Sequence, residues 1–475
     1  MPVAGANAVA EHQARENTPP FVQFDLSIPG VTEEMLESGF WVNRIPDQDK
    51  LIMSTKEIDR YNRKSFRECD KFKNLRLFRS ILPGREVRKI IGEVSSRPTK
   101  KRYLEGKVAS EGYFDALERS VNLAAIPENV VVRFGITVKR AEMRSFPTFD
   151  RVFVEPGDYE FDRFAETALY PVEPVAVLHE SADGKWFFVQ AYNYLAWLPA
   201  SDVAFVDKLT LFRYLDAKDF LVVTGKWVFT GFNPFQPEIS ELQLDMGVKV
   251  PLASRAEIPM EIKGQHPAGN FVVKLPARGP EGNVEWRLGL ISRADDVHVG
   301  YLPFTRRNII TQAFKFLGQR YGWGGMFNTR DCSAFIMDTF RSMGVMLPRN
   351  AGEQGKLAVG VKHEMTPEMG VEAREKLFER IPPATPVYME GHAMLFLYKY
   401  NNDYFILHDF AGFRVPAENG TLKNIRMRSV LVTPLLSTYL ESGKRYMEGL
   451  YAAREFRLDT AGVSDKDNKA QTPGY

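Results

Sequence analysis

Apolar and polar positions follow a helical spacing in the first part of the chain. Between residues 31 and 130, apolar side chains recur every three or four positions, which is typical of amphipathic helices. Thr32 and Ser54 begin two of these runs and are followed by acidic residues, as at helix N-termini. We therefore predict a mostly helical segment at residues 31–130, preceded by a polar arm at residues 1–30 that is either flexible or draped over the protein.

Short apolar or alternating runs separated by turn residues then replace the helical spacing, and they predict β-strands. PVAVLHES, KWFFVQAY and YLAWLP belong to a first group, in residues 131–207. Asp183-Gly184 stands between two of these runs and predicts a tight hairpin. A second group of similar runs occupies residues 208–300. Strands of this length and spacing predict two small β-barrels, one in each group.

A third pattern begins after residue 300. TRRNIITQAFKFLGQ and CSAFIMDTFRSMGV have apolar helical faces, and three strand-like runs follow: PVYMEGH, AMLFLYKY and DYFILHDF. A helix pair followed by a small antiparallel sheet predicts an α+β domain over residues 301–460. The polar residues 461–475 are predicted to be disordered. The predicted fold class is therefore α+β multidomain: a helical segment, two small β-barrels and a C-terminal α+β domain.

Composition narrows the class of protein. Lys and Arg number 62 against 60 Asp and Glu, a net charge of +2 that does not favour nucleic-acid binding, because such proteins carry a basic excess. No apolar run approaches the roughly 20 residues of a membrane-spanning helix, and the N-terminus lacks the pattern of an intact signal peptide. Two cysteines, Cys69 and Cys332, exclude a disulfide framework, and no metal-ligand spacing such as CxxC or HExxH is present. We expect no metal, no organic cofactor and a monomer.

Cys332 is the first candidate for chemistry. It lies where a glycine-rich loop, YGWGG at residues 321–325, gives way to an apolar helix. The free N–H groups and the dipole of a helix N-terminus favour a thiolate, so we expect a lowered thiol pKa and a nucleophilic role. The glycines are expected to let the backbone approach a substrate groove closely. Taken alone, such a cysteine is more often an inert buried residue.

Two histidines complete the candidate set. His392 begins one strand-like run and His408 ends the next, with a short turn at Asn401-Asn402 between them. Antiparallel pairing of these strands would bring the imidazoles side by side. In a Cys–His–His arrangement the first imidazole accepts the thiol proton and the second fixes its tautomer. A single strand histidine is more often structural, so the combination with Cys332 is what points to catalysis.

Residues 305–440 resemble an NlpC-type, papain-like cysteine peptidase of bacterial cell-wall peptides. The matching stretches, in chain order, are YGWGG, Asp331-Cys-Ser333, Leu347-Pro-Arg349 with Gln354, Gly391-His392 and Leu407-His408. The chain departs from the family at Ala334, where glycine is very common. Residues 131–207 and 208–300 are similar to the two bacterial SH3-like domains of a multidomain subgroup. Residues 31–130 are similar to its N-terminal stabilising segment.

The resemblance implies that Cys332 is the nucleophile, His392 the base and His408 its orienting residue. Tyr321 would assist the oxyanion site. The implied substrate-binding residues are Trp323, Arg330, Asp331 and Ser333. Asp331 could also cap the helix. The implied reaction is hydrolysis of a peptidoglycan stem peptide between γ-D-glutamate and a diamino acid such as meso-diaminopimelate, through an acyl-enzyme.

Other functions stay open at this stage. The chain could be a non-catalytic protein that binds peptidoglycan or a peptide through its SH3-like domains, or an amidase or acyltransferase of the same fold. The place of action is also open. Two β-barrels suit a polymeric wall and favour the cell envelope, whereas a cytoplasmic recycling enzyme would act only on released peptides with a free N-terminal L-Ala. The expected partner is peptidoglycan or its stem peptides.

Overall fold

The structure, a computed structural model, describes residues 26–417 and 419–459. The predicted arm and tail therefore lie outside the described residues, except for residues 26–30 of the arm. In that short stretch the side chain of Ile28 is only 6% exposed and packs against the core of the C-terminal domain. At Ile28 the structure agrees with a draped arm rather than a flexible one, because burying an apolar side chain favours a fixed position.

The N-terminal segment combines α-helices with short strands. Its helices are α1 (Ser38–Val42), α2 (Thr55–Glu68), α3 (Gly84–Val94) and α4 (Glu111–Ser120). Its strands are β1 (Leu51–Met53), β2 (Ile81–Pro83), β3 (Tyr103–Leu104), β4 (Lys107–Val108) and β5 (Asn129–Val131). Ser54 and Glu57 form a reciprocal capping box that begins α2. Leu51 pairs with Thr305, so this segment is joined to the C-terminal domain by backbone hydrogen bonds.

The first β-rich unit is an antiparallel sheet that curves around an apolar interior. Its strands are β6 (Arg133–Thr137), β7 (Ala141–Arg144), β8 (Val152–Phe153), β9 (Ala165–Leu169), β10 (Pro174–Glu180), β11 (Trp186–Gln190), β12 (Leu195–Pro199) and β13 (Val203–Phe205). The sheet order is β13-β6-β10-β11-β12-β7-β9. The β10–β11 hairpin turns through Asp183 and Gly184, and Gly184 has a φ of +70°. The predicted hairpin is confirmed.

The second β-rich unit begins with a short helix and contains antiparallel pairs. Its elements are α5 (Lys208–Leu215), β14 (Phe220–Val223), β15 (Trp227–Phe229), β16 (Gln243–Asp245), β17 (Lys249–Pro251), β18 (Asn270–Arg278), β19 (Val284–Ser292) and β20 (Val297–Val299). One apolar core runs through the N-terminal helices and both β-rich units, and it includes Trp197 and Ile291. The identity of this unit as a second SH3-like barrel stays a prediction.

The C-terminal domain packs helices against a mostly antiparallel sheet. Its elements are β21 (Phe304–Thr305), α6 (Arg306–Phe314), α7 (Cys332–Arg341), α8 (Ala351–Lys356), β22 (Val361–Glu364), α9 (Val371–Phe378), β23 (Thr385–Met389), β24 (His392–Tyr400), β25 (Asp403–Pro416), β26 (Leu422–Pro434), α10 (Tyr446–Gly449) and β27 (Leu450–Glu455). The sheet order is β22-β27-β23-β24-β25-β26. Helix α7 packs on β24 and β25. This packing places the first turn of α7 beside the beginning of β24.

The β24–β25 hairpin sets the position of both candidate histidines. Asn401 and Asn402 occupy its two-residue turn with φ values of 45° and 62°, a conformation that asparagine tolerates better than most residues. Leu395 then pairs with Leu407. In the part of the chain that the structure describes, no helix has the length and apolar character needed to cross a membrane.

Candidate active site

Cys332 is the first residue of α7, and its side chain is 5% exposed. The preceding Asp331 caps the helix, because its Oδ1 accepts the backbone N–H of Ala334 at 3.0 Å. The backbone N–H of Ala393, at the beginning of β24, donates to the Cys332 sulfur. Since Ala393 directly follows His392, the fold brings the predicted nucleophile and the predicted base to the same place.

The two histidines are linked by a hydrogen bond, with 2.8 Å between His392 Nε2 and His408 Nδ1. His408 is fully buried, and its Nε2 lies 2.8 Å from Thr433 Oγ1. If Thr433 accepts the Nε2–H of His408, then His408 Nδ1 accepts a hydrogen bond from the Nε2–H of His392. That tautomer leaves His392 Nδ1 free to accept a proton.

Burial sets the charge state of this group. It raises the pKa of the Cys332 thiol to about 12, and the negative charge of Asp331 acts in the same direction. Burial also lowers the pKa of His392 to about 4 and holds that of His408 well below its usual value. The expectation of a lowered thiol pKa is therefore wrong for the free protein, where loss of solvation outweighs the helix N-terminus. Burial thus favours the neutral forms of both the thiol and the imidazole.

Asp331 is held by Arg349 in a two-pronged ion pair. Arg349 Nη1 donates to Asp331 Oδ1 at 3.1 Å, and Nη2 donates to Oδ2 at 2.7 Å. Burial alone would raise the pKa of Asp331, but Arg349 lowers it overall, so the carboxylate stays ionised. Arg349 also donates to the hydroxyl groups of Ser333, at 2.8 Å, and Thr167. Because Thr167 lies on β9, the first β-rich unit helps to position the residues around Cys332.

The glycine-rich loop packs tightly on that same strand. Gly324 and Gly325 have φ values of +58° and +88°, which side-chain-bearing residues rarely adopt. A Cβ on Gly325 would lie 2.7 Å from the Cβ of Ala168, and one on Gly324 would lie 3.0 Å from the backbone of Ala165. The close approach expected of these glycines is therefore made to β9, within the protein itself.

Tyr321 and Trp323 form an aromatic wall with the loop between β8 and β9. Tyr321 is buried close to Cys332, and its pKa is raised first by burial and then by the negative charge that Cys332 can carry. The half-exposed Trp323 packs edge-on against Phe161, with ring centroids 5.7 Å apart, and under the guanidinium of Arg163. Both predicted residues are thus brought to the site.

Comparisons with known proteins agree with this architecture. The sequence matches the NlpC/P60 family over residues 318–405 and an SH3 domain of the SH3b1 type over residues 147–199. The chain therefore contains one region that matches an SH3b domain and one that matches the NlpC/P60 family. The first β-rich unit contains the SH3b match, and the NlpC/P60 match contains Cys332 and His392. The SH3b domain therefore supplies β9, on which the glycine-rich loop of the NlpC/P60 domain packs.

Individual known proteins are similar to this chain over different shares of its length. A solved NlpC/P60 endopeptidase from Photobacterium damselae subsp. piscicida is 20% identical, covers 86% of this chain and 94% of its own, and has a TM-score of 0.68. An NlpC/P60 family protein from Bacillus cereus is 18% identical, with a TM-score of 0.40 over 62% of this chain and 83% of its own. The γ-D-glutamyl-L-lysine dipeptidyl-peptidase of Bacillus subtilis is 38% identical over 72 residues, which are 15% of this chain and 24% of that protein.

Arg330 does not lie where substrate could reach it. Its guanidinium is fully buried, with Nε 2.8 Å from Asp338 Oδ2 and Nη2 3.0 Å from Asp245 Oδ1. Nη1 donates to Gln319 Oε1 at 2.6 Å. The expectation of a substrate-binding role is therefore corrected. Since Asp245 belongs to the second β-rich unit, Arg330 joins that unit to the NlpC/P60 domain.

No sequence motif indicated a role for Thr433, Glu166 or Tyr194. Glu166 lies on β9, accepts a hydrogen bond from the Tyr194 hydroxyl, and has a pKa raised by burial. The charge of Arg349 acts on Glu166, so this carboxyl group lies near the Asp331–Arg349 pair. Within residues 26–417 and 419–459, no cluster of His, Cys, Asp or Glu side chains has an arrangement that could hold a metal ion.

Proposed function

We propose that this protein is a cysteine peptidase that hydrolyses peptidoglycan stem peptides between γ-D-glutamate and a diamino acid. The observation that carries the proposal is the Cys332 thiol at the first turn of α7, beside the hydrogen-bonded series His392, His408 and Thr433. A nucleophile, a base and groups that orient the base are the parts needed for acyl transfer.

In the proposed mechanism, His392 Nδ1 takes the proton of Cys332 as the sulfur attacks the substrate carbonyl carbon. The resulting thiolate character and imidazolium stabilise each other, which offsets the burial that disfavours each charge separately. The backbone N–H of Cys332 and the adjacent Tyr321 stabilise the oxyanion. The imidazolium then gives its proton to the leaving nitrogen, the C–N bond breaks, and water hydrolyses the thioester with His392 again as base.

Asp331, Ser333 and Trp323 are proposed to line the acyl side of the scissile bond. Their arrangement supports this role because Arg349 fixes the first two against α7 while Trp323 forms the neighbouring wall. The choice of a γ-D-glutamyl bond is supported by the local likeness to a protein named as a γ-D-glutamyl-L-lysine dipeptidyl-peptidase. We propose the cell envelope as the place of action if the enzyme cleaves intact wall, whereas a requirement for a free amino terminus would favour recycling of released peptides in the cytoplasm.

Glu166 favours a more specific version of this function, in which the substrate is a short peptide with a free amino terminus. A dipeptidyl-peptidase must recognise the terminal ammonium group of the residue before D-glutamate. The half-buried carboxyl of Glu166, hydrogen-bonded by Tyr194 and close to Arg349, is an acceptor suited to an ammonium group. A bound cation would favour the charged form of Glu166 against the burial that now raises its pKa.

One experiment tests both the peptidase assignment and the requirement for a free amino terminus. Intact sacculi and free L-Ala-γ-D-Glu-diaminopimelate peptides are digested side by side, and the products are identified by mass. Release of L-Ala-γ-D-Glu from the free peptide is the expected result. Cys332→Ala should abolish it, and Cys69→Ala, which removes the other free thiol, should not. Full activity in Cys332→Ala would overturn the peptidase assignment. If intact wall and an N-acetylated peptide are cleaved as fast as the free peptide, the role of Glu166 is overturned and the peptidase assignment stands.

A further inference from the structure

A loop of the SH3b domain is attached to the C-terminal domain beside the candidate active site. The loop joins β8 to β9 and carries Glu160 and Phe161. Glu160 forms two ion pairs, with 2.6 Å between its Oε1 and Arg320 Nη2, and 2.9 Å between its Oε2 and Arg428 Nη2. Both arginines belong to the C-terminal domain, so this one carboxylate connects the two domains at the aromatic wall that contains Trp323.

Arg428 depends on Glu160 more than Arg320 does. The side chain of Arg320 is 53% exposed and that of Arg428 is 20% exposed, so solvent screens the Arg428 ion pair less. Nε and Nη1 of Arg428 have no hydrogen-bond partner among the described residues. Within that part of the chain, Glu160 is the only acidic side chain that pairs with Arg428. Loss of the Glu160 charge should therefore free the Arg428 side chain.

The backbone of Arg428 is strained. Its φ is +55°, in the left-handed region that residues with a Cβ rarely adopt. Such a conformation persists only where surrounding contacts hold it. For Arg428 these contacts include the ion pair with Glu160 and the ring of Phe161, whose centroid lies 4.6 Å from the guanidinium carbon. We therefore expect the backbone at Arg428 to relax when the ion pair is removed.

Arg428 also holds Tyr321 from two directions. Its backbone carbonyl accepts the N–H of Tyr321 at 2.9 Å. Its guanidinium lies over Phe161, and the centroid of the Phe161 ring lies 6.1 Å from that of the Tyr321 ring. A change in the position of Arg428 therefore reaches both the backbone and the side chain of Tyr321, the residue close to Cys332.

Tyr321 is proposed above to stabilise the oxyanion, and such a group is most effective when it is fixed before the reaction. A displacement of about 1 Å can lower a rate about 100-fold. We propose that Arg428 and Glu160 are positioning residues for this reaction, because their ion pair fixes Tyr321 from the SH3b domain. The SH3b domain then contributes to the rate of the chemical step and not only to substrate binding. This inference rests on the function proposed above.

The first test measures hydrolysis of L-Ala-γ-D-Glu-diaminopimelate by the full-length protein. Glu160→Gln keeps the size of the side chain and removes its charge. It should lower kcat about tenfold, less than the loss of a whole oxyanion donor, which costs about 100-fold or more. KM should change less than about twofold, because the Asp331–Arg349 pair is untouched. Arg428→Gln should act in the same direction, and the double variant should lose no more than Arg428→Gln alone, because both substitutions remove one ion pair.

Glu180→Gln is the matched control, because it removes the same charge from an exposed ion pair with Arg133 elsewhere in the first β-rich unit. It should leave kcat unchanged. Alkylation of Cys332 by iodoacetamide, followed by peptide mass, is a second control, because that reaction forms no oxyanion. Its rate in Glu160→Gln should stay within about twofold of wild type. A parallel fall of alkylation and hydrolysis, or an equal loss of kcat in Glu180→Gln, would overturn the positioning role.

Hydrogen–deuterium exchange tests the inference without any activity. The N–H of Tyr321 is protected by the Arg428 carbonyl, so it should exchange about tenfold faster in Glu160→Gln and at the wild-type rate in Glu180→Gln. If the wild type hydrolyses no stem peptide, the proposed function fails, and this exchange decides whether the ion pair fixes Tyr321. Unchanged exchange at Tyr321 in Glu160→Gln, or a raised KM with unchanged kcat, would overturn the inference and leave the peptidase assignment intact.

Discussion

His392 and His408 are joined by a 2.8 Å hydrogen bond between Nε2 of the first and Nδ1 of the second. The bond crosses a hairpin whose register is set by a two-residue asparagine turn. Only one proton lies between these two nitrogens. The hydrogen bond that His408 makes through its other nitrogen, Nε2, therefore influences which ring donates. Thr433 is in that position, 2.8 Å away and fully buried. When the Thr433 hydroxyl accepts this hydrogen bond, His392 donates to His408, so a residue outside every recognised motif takes part in fixing the tautomer of both histidines.

Thr433→Val should lower kcat for stem-peptide hydrolysis about tenfold, because loss of one buried hydrogen bond of roughly 1–2 kcal/mol releases the tautomer of His408. Thr433→Ser keeps the hydroxyl and should restore most of the activity. Both variants should fold, as judged by circular dichroism. A shifted pH–rate profile in Thr433→Val but not in Thr433→Ser would identify a positioning role. Equal losses in the two variants would instead indicate a packing defect.

Asp409 should make the folded protein less stable as pH rises. Its carboxyl is fully buried, neither oxygen has a hydrogen-bond partner among the described residues, and burial holds its pKa well above the usual value. Because its pKa is raised, the Asp409 carboxyl binds a proton more tightly in the folded protein than in the unfolded chain. The stability gained from this proton is complete below the unfolded pKa of about 3.9, and it is lost as pH rises toward the folded pKa.

Asp409→Asn should remove that dependence, so its Tm relative to wild type should increase steadily from pH 4 to pH 8 in calorimetry. Asp70→Asn, at an exposed position, should leave the difference from wild type nearly constant. Parallel Tm profiles for Asp409→Asn and wild type would contradict the prediction.

Arg330→Ala should destabilise the protein by roughly 3–5 kcal/mol, because it removes the countercharge of buried Asp338 and one of the two arginines, with Arg140, that pair with buried Asp245. Asp245 and Asp338 both pair with Arg330 in a fully buried position. Urea unfolding measures this loss. The exposed ion pair of Arg307 with Asp49 provides the control, and Arg307→Ala should cost much less, because solvent screens an exposed pair. Similar losses in the two variants would refute the structural role given to Arg330.

Gly325→Ala should destabilise the loop before α7 more than Gly318→Ala does. Both glycines have positive φ, so each substitution carries a backbone cost of about 1–2 kcal/mol. Only at Gly325 would the new Cβ also meet Ala168, at 2.7 Å, whereas nothing lies within 4 Å of a Cβ at Gly318. Gly325→Ala should therefore lower both Tm and activity further. Equal effects would show that contact with β9 is unimportant.

Sequence alone determined the features that depend on neighbouring residues. Turn residues and hydrophobic spacing were sufficient to predict the hairpin that pairs His392 with His408, and the helix that begins at Cys332. These predictions succeed because backbone conformation and side-chain direction are set within a few positions along the chain.

Tertiary structure alone decided the partners and the charge states. Arg330 and Asp245 are 85 residues apart in sequence, yet they form a buried ion pair. The pKa of Cys332 depends on how much solvent the whole fold removes from it, which outweighs the helix N-terminus that the sequence predicted. Burial and long-range pairing are properties of the packed chain, so no local pattern encodes them.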